Sequence, residues 1–295
     1  MRLVTYSVDK KEMLGAVTPC GTKILPLEQN GFPYKDMNDL ITNITDIEKE
    51  ALTSLIKSGI GNGITSIKKV KIEAPIPEPK QDIICLGINY WAHAEESMRY
   101  KKEAFDGTRE FPVYFSKRVN RAVADGDGIP SHSDIISTLD YEAELAVIIG
   151  KDAKNVSKED AYNYVFGYTI INDVTARELQ TRHKQWTFGK GLDGFAPMGP
   201  WIVTADEIPA PPVLTIKSFV NGEPRQNGRT DMFIHDIAYV INELSQGMTL
   251  KAGTIIATGT PAGVGMGFVP PKFLKAGDVV TCEIENIGSI TNTVI

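Results

Sequence analysis

The amino-acid sequence predicts an α+β protein that is rich in β-strands, with a small N-terminal α/β domain before a larger domain. Strand-like segments dominate from residue 139 onward, while shorter strand and helix signals lie before residue 72. Three prolines fall within residues 75–79, where they can continue neither a helix nor a central strand. We therefore predict domains at 1–72 and 82–295, joined by a proline-rich linker at 73–81.

Hydrophobic periodicity predicts the individual elements. Residues 3–6 and 15–17 are typical of strands, and residues 45–60 are typical of a helix because apolar residues recur among polar ones. After the linker, residues 83–87 predict a buried strand, and Asn89 can cap a helix that contains His93. Further helices are predicted near 158–165, 176–186 and 234–246. The strongly charged segment 99–111 is predicted to be mobile.

The composition excludes several classes of partner. The 295 residues include 31 Lys and Arg against 37 Asp and Glu, a net charge of −6, and no cluster of basic residues stands out. Nucleic acids and anionic membranes are therefore poor partners. The three cysteines are widely spaced, which argues against a disulfide framework or a zinc site. The N-terminus lacks the apolar core of a signal peptide, and no run approaches the ~18 apolar residues of a membrane span, so we expect a cytoplasmic protein.

Acidic residues alternate with apolar ones in residues 139–149, which predict a single strand. Its odd positions are apolar and can face a core, whereas Asp140, Glu142 and Glu144 share the other face. Adjacent buried carboxylates repel each other unless a cation lies between them. The strand is thus either half exposed, with a solvated acidic face, or part of a metal site.

A second acidic residue follows the next strand-like segment. Residues 167–172 predict a strand that ends at Asp173, and Thr175 with Glu178 forms a capping-box pattern that predicts a helix start. Asp173 could merely cap that helix. If it joins Glu142 and Glu144, the donor set is three carboxylates, which favours Mg²⁺, Mn²⁺ or Ca²⁺ over zinc.

Polar residues of the following segment could surround such a site. Arg177, Gln180 and Lys184 fall on one face of the predicted helix, which could equally be a solvated face. Lys190 lies between two glycines, where the backbone can approach a ligand closely, although a surface loop would also explain it. The glycine-rich residues 258–265 could bind an anion through backbone amides, but they lack the ending of a nucleotide-binding loop.

His93 and Glu96 form a candidate acid–base pair. They lie three residues apart on a predicted helix, so the carboxylate could orient the imidazole and raise its basicity. A histidine of this kind is the usual general base for activating water. The alternative is an exposed helical pair that contributes only a few tenths of a kcal/mol to stability.

Taken together and in this order, these motifs resemble the fumarylacetoacetate hydrolase family over about residues 80–295. The resemblance rests on the following stretches: Gly87-Ile88-Asn89-Tyr90 with His93 and Glu96, Phe115-Ser116-Lys117, residues 139–145, Asn172-Asp173 with Arg177 and Gln180, Gly189-Lys190, Thr258-Gly259-Thr260-Pro261 with Gly263-Val264-Gly265, and residues 274–288.

The resemblance implies a mixed β-sandwich roll, usually dimeric, with Mg²⁺ or Mn²⁺ bound by Glu142, Glu144 and Asp173. It implies a base dyad of His93 and Glu96 on a lid, and it assigns the oxygens of a small anionic 2-oxo acid to the following residues: Arg177, Gln180, Lys190 and Thr260. The preferred reaction is metal-dependent hydrolysis of a C–C bond in an acylpyruvate or 1,3-dicarbonyl acid.

The same site would also serve an oxaloacetate decarboxylase, a keto–enol tautomerase or a hydroxy-diene-dioate isomerase, because all of these reactions pass through an enolate next to a carbonyl. Two rivals from other classes are a non-catalytic binding module and a structural metal without open coordination positions. A simple binding module needs no base, which favours an enzyme.

Overall fold

The computed structural model describes residues 1–101, 107 and 110–295. The predicted mobile segment 99–111 therefore lies in large part outside the described residues. The helices are α1 (Met37–Asn43), α2 (Asp46–Ser58), α3 (Trp91–Lys101), α4 (Arg177–Arg182), α5 (Thr187–Lys190) and α6 (Ile237–Gly247). No helix within the described ranges has both the length and the apolar character needed to cross a membrane.

Strands make up most of the regular structure of the described chain, which confirms the predicted β-rich α+β class. In chain order they are β1 (Arg2–Val8), β2 (Lys11–Val17), β3 (Lys23–Pro26), β4 (Thr65–Ser66), β5 (Lys71–Ile72), β6 (Ile83–Gly87), β7 (Val113–Lys117), β8 (Gly128–Ile129), β9 (Leu139–Asp140), β10 (Ala143–Ile149), β11 (Val165–Asn172), β12 (Thr175–Ala176), β13 (Met198–Thr204), β14 (Thr215–Val220), β15 (Glu223–Arg229), β16 (Ile255–Ala257), β17 (Val279–Ile284) and β18 (Gly288–Val294).

Two mixed sheets pack face to face. The larger follows the order β4-β3-β2-β1-β13-β11-β10-β16-β6-β7, and the smaller follows β15-β14-β17-β18-β8. The strand β10 is an interior strand of the larger sheet, between β11 and β16, and its residues alternate between two apolar clusters. Leu145 and Val147 join the cluster shared with the smaller sheet, whereas Ala146 and Ile148 join the cluster shared with the N-terminal segment. Both faces of β10 are therefore buried, which excludes the alternative of a half-exposed strand with a solvated acidic face.

The N-terminal segment extends the larger sheet. Arg2 and Leu3 of β1 pair with Val203 and Ile202 of β13, so the sheet is continuous across the linker. The division at residues 73–81 stays a prediction. Thr45 caps α2, and Glu48 completes a capping box, as the sequence pattern of this helix predicts.

Several predicted elements differ in the structure. Residues 139–149 are two strands, β9 and β10, separated at Tyr141 and Glu142, because β9 pairs with β12 whereas β10 pairs with β11 and β16. The predicted helix at 158–165 is a single 3₁₀ turn, Ala161–Tyr164, before β11 begins. The helix predicted at 176–186 ends at Arg182, whereas the helix predicted at 234–246 is confirmed as α6.

Candidate metal centre and active site

The pairing register of four strands brings the site together. β10 and β11 are antiparallel with Ala143 opposite Asn172, so Glu142 and Asp173 lie just beyond the paired ends. The amide of Asp173 donates to the Glu142 carbonyl at 2.8 Å, which fixes the two backbones side by side. β16 is antiparallel to β10, so the residues that follow Ala257 run along the start of β10. β6 is parallel to β16 and delivers α3 to the same edge.

Glu142, Glu144 and Asp173 converge at this edge. All three are buried, and each offers an oxygen within 4.8 Å of the others. Burial alone raises the pKa of Glu142, but the neighbouring Lys190 and Arg177 outweigh that effect and lower it to about 2. Burial, followed by the negative charges of Asp173 and Glu142, raises the pKa of Glu144 well above its ordinary value. The site thus contains a carboxylate that lacks sufficient positive charge around it.

Lys190 is not a surface loop residue. Its side chain is 2% exposed, and Nζ lies 2.6 Å from both Glu142 Oε2 and Asp173 Oδ2. Burial opposes its charge, but Asp173 and Glu142 raise the pKa above the ordinary lysine value. The preceding Gly189 packs against Gln180 so closely that a Cβ would lie 2.4 Å from the Gln180 amide nitrogen. Here the glycine serves close packing of α5 on α4.

Arg177 is also buried and charged. Its Nε contacts Asp140 Oδ2 at 2.8 Å, and Nη1 contacts Glu142 Oε1 at 2.7 Å and Gln180 Oε1 at 3.1 Å. Nη2 is buried with no hydrogen-bond partner among the described residues. Arg177 and Gln180 therefore share a face as predicted. Lys184 lies beyond the end of α4 and is exposed, so it does not join them.

The start of α4 is capped differently from the prediction. Thr175 Oγ1 donates to the Asp173 carbonyl, and Glu178 accepts from the Ser137 hydroxyl, so no capping box forms. Thr138 supplies the cap instead, since its Oγ1 accepts from the Glu178 amide at 2.9 Å. Asp173 consequently does not cap the helix, and its carboxylate faces the acidic cluster.

Residues 258–265 do act as an anion-binding loop, but the anions are carboxylates of the protein itself. The amides of Gly259, Gly263 and Gly265 donate to Glu144, Glu96 and Asp140 at 2.8, 2.8 and 2.7 Å. The Met266 amide also donates to Asp140. Thr260 Oγ1 donates to the Ala143 carbonyl and accepts from Gln226, so its hydroxyl already has partners on both sides.

His93 and Glu96 lie together on α3 as predicted. Nδ1 of His93 is 3.4 Å from Glu96 Oε2, and His93 is buried. The other Glu96 oxygen accepts from Gly263, which anchors the pair to the loop. Asn89 does not cap α3, because its Oδ1 accepts from the His235 amide at 2.8 Å and its Nδ2 donates to the carbonyls of His235 and Thr258. Asn89 instead ties the start of this helix to the loop that follows β16.

These groups line one small pocket with an empty volume of about 450 Å³. Its wall includes the following residues named above: His93, Glu142, Glu144, Arg177, Gln180, Lys190 and Thr260. Tyr100, Lys101 and Trp186 line it as well, and Lys101 Nζ lies 5.8 Å from the Trp186 ring centre. A Cβ on Gly87 would lie 2.2 Å from Trp186, so this glycine allows the indole to form the wall.

The sequence alone assigns no function to two buried charged residues of the site, Asp140 and Lys117. Asp140 is the ion-pair partner of Arg177, and its position in the acidic alternation was a usable signal. Lys117, at the end of β7, lies 2.7 Å from Asp173 Oδ1 with a side chain that is 0% exposed. A lysine at the end of a short strand is normally solvated, so nothing in the local pattern of Lys117 indicates burial.

Residues 82–295 match the family model described as fumarylacetoacetate (FAA) hydrolase C-terminal. The chain belongs to the fumarylacetoacetate hydrolase family. It is 49% identical over 235 residues to the oxaloacetate tautomerase YisK of Bacillus subtilis, covering 80% of this chain and 76% of that protein.

Two solved structures have the same fold over the whole chain. A fumarylacetoacetate hydrolase from Exiguobacterium antarcticum is 36% identical with a TM-score of 0.83, covering 100% of this chain and 99% of its own. A maleylpyruvate hydrolase from Sphingobium sp. SYK-6, in complex with manganese(II) and pyruvate, is 30% identical with a TM-score of 0.75 and the same coverage. The family members compared are enzymes, and this chain is an enzyme of that family.

The donor set of this chain fits a divalent metal. Three buried carboxylates with oxygens within 4.8 Å repel one another unless positive charge lies between them. Lys190 bridges Glu142 and Asp173, whereas Glu144 accepts from the neutral Gly259 amide. With a manganese-bound relative of the same fold, this acidic triad indicates a divalent metal site.

Proposed function

We propose that the protein is a divalent-metal-dependent enzyme that interconverts the keto and enol forms of a small 2-oxo dicarboxylic acid, with oxaloacetate as the first substrate to test. The proposal rests on one observation. Two carboxylates, two buried cations and His93 line the same small pocket: Glu142, Glu144, Arg177 and Lys190 surround it with the imidazole. Asp173 lies directly behind the two glutamates, with an oxygen within 4.8 Å of theirs, and Glu96 contacts His93. The 49% identity to an oxaloacetate tautomerase favours proton transfer over the C–C hydrolysis preferred from the sequence.

In this proposal Glu142, Glu144 and Asp173 hold Mg²⁺ or Mn²⁺, since both ions prefer oxygen donors. The ion supplies a Lewis acid for the adjacent oxygens of a 2-oxo acid. Lys190 adds positive charge beside the same oxygens, which stabilises negative charge that develops during enolisation. Arg177 offers Nη2 to a substrate carboxylate, and Gln180 and Thr260 complete the inner wall.

His93 moves the proton. Its Nδ1 lies toward Glu96, which leaves Nε2 as the nitrogen available to the substrate. In the keto-to-enol direction, Nε2 takes a proton from the carbon next to the 2-oxo group, and the imidazolium then gives that proton to the 2-oxo oxygen, which restores neutral His93. The reverse direction returns the proton to carbon. Glu96, held by the Gly263 amide, orients the imidazole toward the substrate.

In this proposal Lys101 provides a positive charge at the outer side of the pocket for the second carboxylate of the substrate. It lines the pocket beside Trp186, and it forms no ion pair with a carboxylate in the part of the chain that the structure describes. Arg177 and Lys190, in contrast, are already paired with carboxylates of the protein. A dicarboxylic acid would therefore contact cations at both ends of the pocket.

Hydrolysis of an acylpyruvate is the second candidate. The relative with manganese and pyruvate supports it, because that protein is a maleylpyruvate hydrolase. Here His93 would take a proton from water, and the resulting hydroxide would attack the distal carbonyl. The C–C bond to the pyruvate fragment would then break, and a proton would complete the pyruvate methyl group.

One set of assays separates these outcomes. The purified protein is mixed with enol oxaloacetate and MgCl₂ or MnCl₂. Loss of the enol is followed by its absorbance, and appearance of the keto form is followed by a coupled malate dehydrogenase reaction. We expect faster ketonisation that EDTA abolishes. Pyruvate release from an acylpyruvate without this acceleration would favour hydrolysis, and pyruvate release from oxaloacetate would favour decarboxylation. Absence of turnover in all of these assays would contradict the proposal.

Replacement of His93 tests the rival binding module. A protein that only binds acids would behave identically after His93→Ala, whereas an enzyme would lose turnover.

The homodimer implied by the family resemblance stays a prediction, which sedimentation equilibrium of the purified protein tests.

A further inference from the structure

Lys117 is a fully buried lysine that the proposed mechanism does not use. Its Nζ lies 2.7 Å from Asp173 Oδ1 and donates to the Val174 carbonyl at 3.0 Å and to the Lys190 carbonyl. Burial lowers the pKa of Lys117, and the negative charge of Asp173 opposes that shift only in part. A buried charge is costly unless it is paired, so this position demands a reason beyond packing.

The two oxygens of Asp173 have different partners. Oδ2 lies 2.6 Å from Lys190 Nζ, which also contacts Glu142 Oε2 at 2.6 Å, so Oδ2 is on the side of the acidic triad. Oδ1 lies 2.7 Å from Lys117 Nζ as an ion pair, and it accepts no hydrogen bond of regular geometry from the described residues. A carboxylate held at one oxygen cannot rotate freely, and it presents a single defined oxygen to a cation.

Lys117 also fixes the neighbouring elements. The Val174 carbonyl follows Asp173 directly, and the Lys190 carbonyl is the C-terminal end of α5. One ammonium group therefore joins β7 to the turn that carries Asp173 and to the helix that carries Lys190. Loss of this group would release two residues of the site together.

We propose that Lys117 is a positioning residue that holds Oδ1 of Asp173 and the backbone of Lys190, and thereby makes Oδ2 the single metal ligand from Asp173. This inference rests on the proposed metal site. Groups that orient metal ligands typically contribute 10–100-fold in metal affinity. A purely electrostatic role has the opposite sign, because removal of a positive charge beside a cation favours cation binding.

Titration calorimetry with MnCl₂ on the wild-type protein, Lys117→Met and Lys251→Met tests the inference. Lys251 is exposed and paired with Asp152, so its variant matches the chemical change outside the site. We expect Lys117→Met to bind Mn²⁺ about 10–100-fold more weakly, with Lys251→Met unchanged. Equal or tighter binding by folded Lys117→Met overturns the inference. Absence of Mn²⁺ binding by the wild-type protein instead overturns the proposed metal site itself.

A second measurement needs no variant, in case Lys117→Met does not fold. A crystal structure of the wild-type protein with Mn²⁺ should show Asp173 binding the ion through Oδ2 alone, with Oδ1 still in contact with Lys117. Bidentate binding by Asp173, or displacement of Lys117 from it, would refute the positioning role.

Discussion

Replacement of Arg177 by methionine should destabilise the protein strongly, because its charge compensates two buried carboxylates. The side chain is 1% exposed and pairs with Asp140 at 2.8 Å and with Glu142 at 2.7 Å. Methionine fills most of the same volume and removes the charge. Asp140 would keep three backbone amides and Glu142 would keep Lys190, so neither carboxylate loses every partner.

The expected loss of unfolding free energy is about 3–5 kcal/mol, the range for breaking a buried ion pair by removing one partner. At about 2–4 °C per kcal/mol, this corresponds to a fall in Tm on the order of 10 °C. Arg121→Met is the matched control, since Arg121 is 48% exposed and pairs with Glu12 and Glu78 at the surface. Its loss should cost less than about 1 kcal/mol.

Urea and thermal unfolding, followed by circular dichroism without added metal, measure both variants. Arg177→Lys should lie between Arg177→Met and the wild-type protein, because it keeps the charge but offers fewer directed donors. A difference of less than about 1 kcal/mol between the two methionine variants would refute the reasoning, since the buried and exposed arginines would then contribute equally.

Three further predictions concern the acid–base pair, Lys101 and the exposed thiol of Cys20. His93→Ala should lower kcat by about 10²–10⁴-fold with Mn²⁺ affinity unchanged, and Glu96→Gln should lower it less; steady-state kinetics and calorimetry measure both. Lys101→Met should raise KM for a dicarboxylic substrate more than for a monocarboxylic one, and an equal effect on both would contradict its outer position. The exposed Cys20 thiol has a pKa lowered to about 7 because the Thr18 and Thr22 hydroxyls hydrogen-bond to its sulfur. Its alkylation by iodoacetamide should therefore rise with pH through about 7, and Thr18→Val should move that midpoint upward.

The sequence predicted which carboxylates lie together better than it predicted the hydrogen-bond and ion-pair partners that hold the surrounding elements in place. Alternation in residues 139–149 placed Glu142 and Glu144 together, and the end of the next strand-like segment placed Asp173. The antiparallel register of β10 with β11 then brings these three residues together. The structure confirms that the three carboxylates lie close together, while their role as metal ligands stays a prediction. Their proximity could be predicted because a carboxylate at the end of an apolar strand is unusual enough to be recognised locally.

The errors arose where a distant segment replaced a local partner. The local pattern assigns the cap of α4 to Thr175, but Thr138 caps this helix, and Asn89 bonds to His235 and Thr258 instead of α3. Hydrogen bonds between residues far apart in the chain leave no periodic signal in the sequence. The burial of Lys117 escapes local prediction for the same reason, because Asp173 is its partner across the fold.

The charge balance of the site links metal binding to substrate binding. Within the described chain, four buried carboxylates (Asp140, Glu142, Glu144 and Asp173) lie among three buried cations (Lys117, Arg177 and Lys190). Such a cluster is negative overall when every group is ionised, and it would repel an anionic acid. A divalent cation would reverse the sign of the cluster. Substrate affinity should therefore depend on prior metal binding, and oxalate should bind measurably only when Mg²⁺ or Mn²⁺ is present.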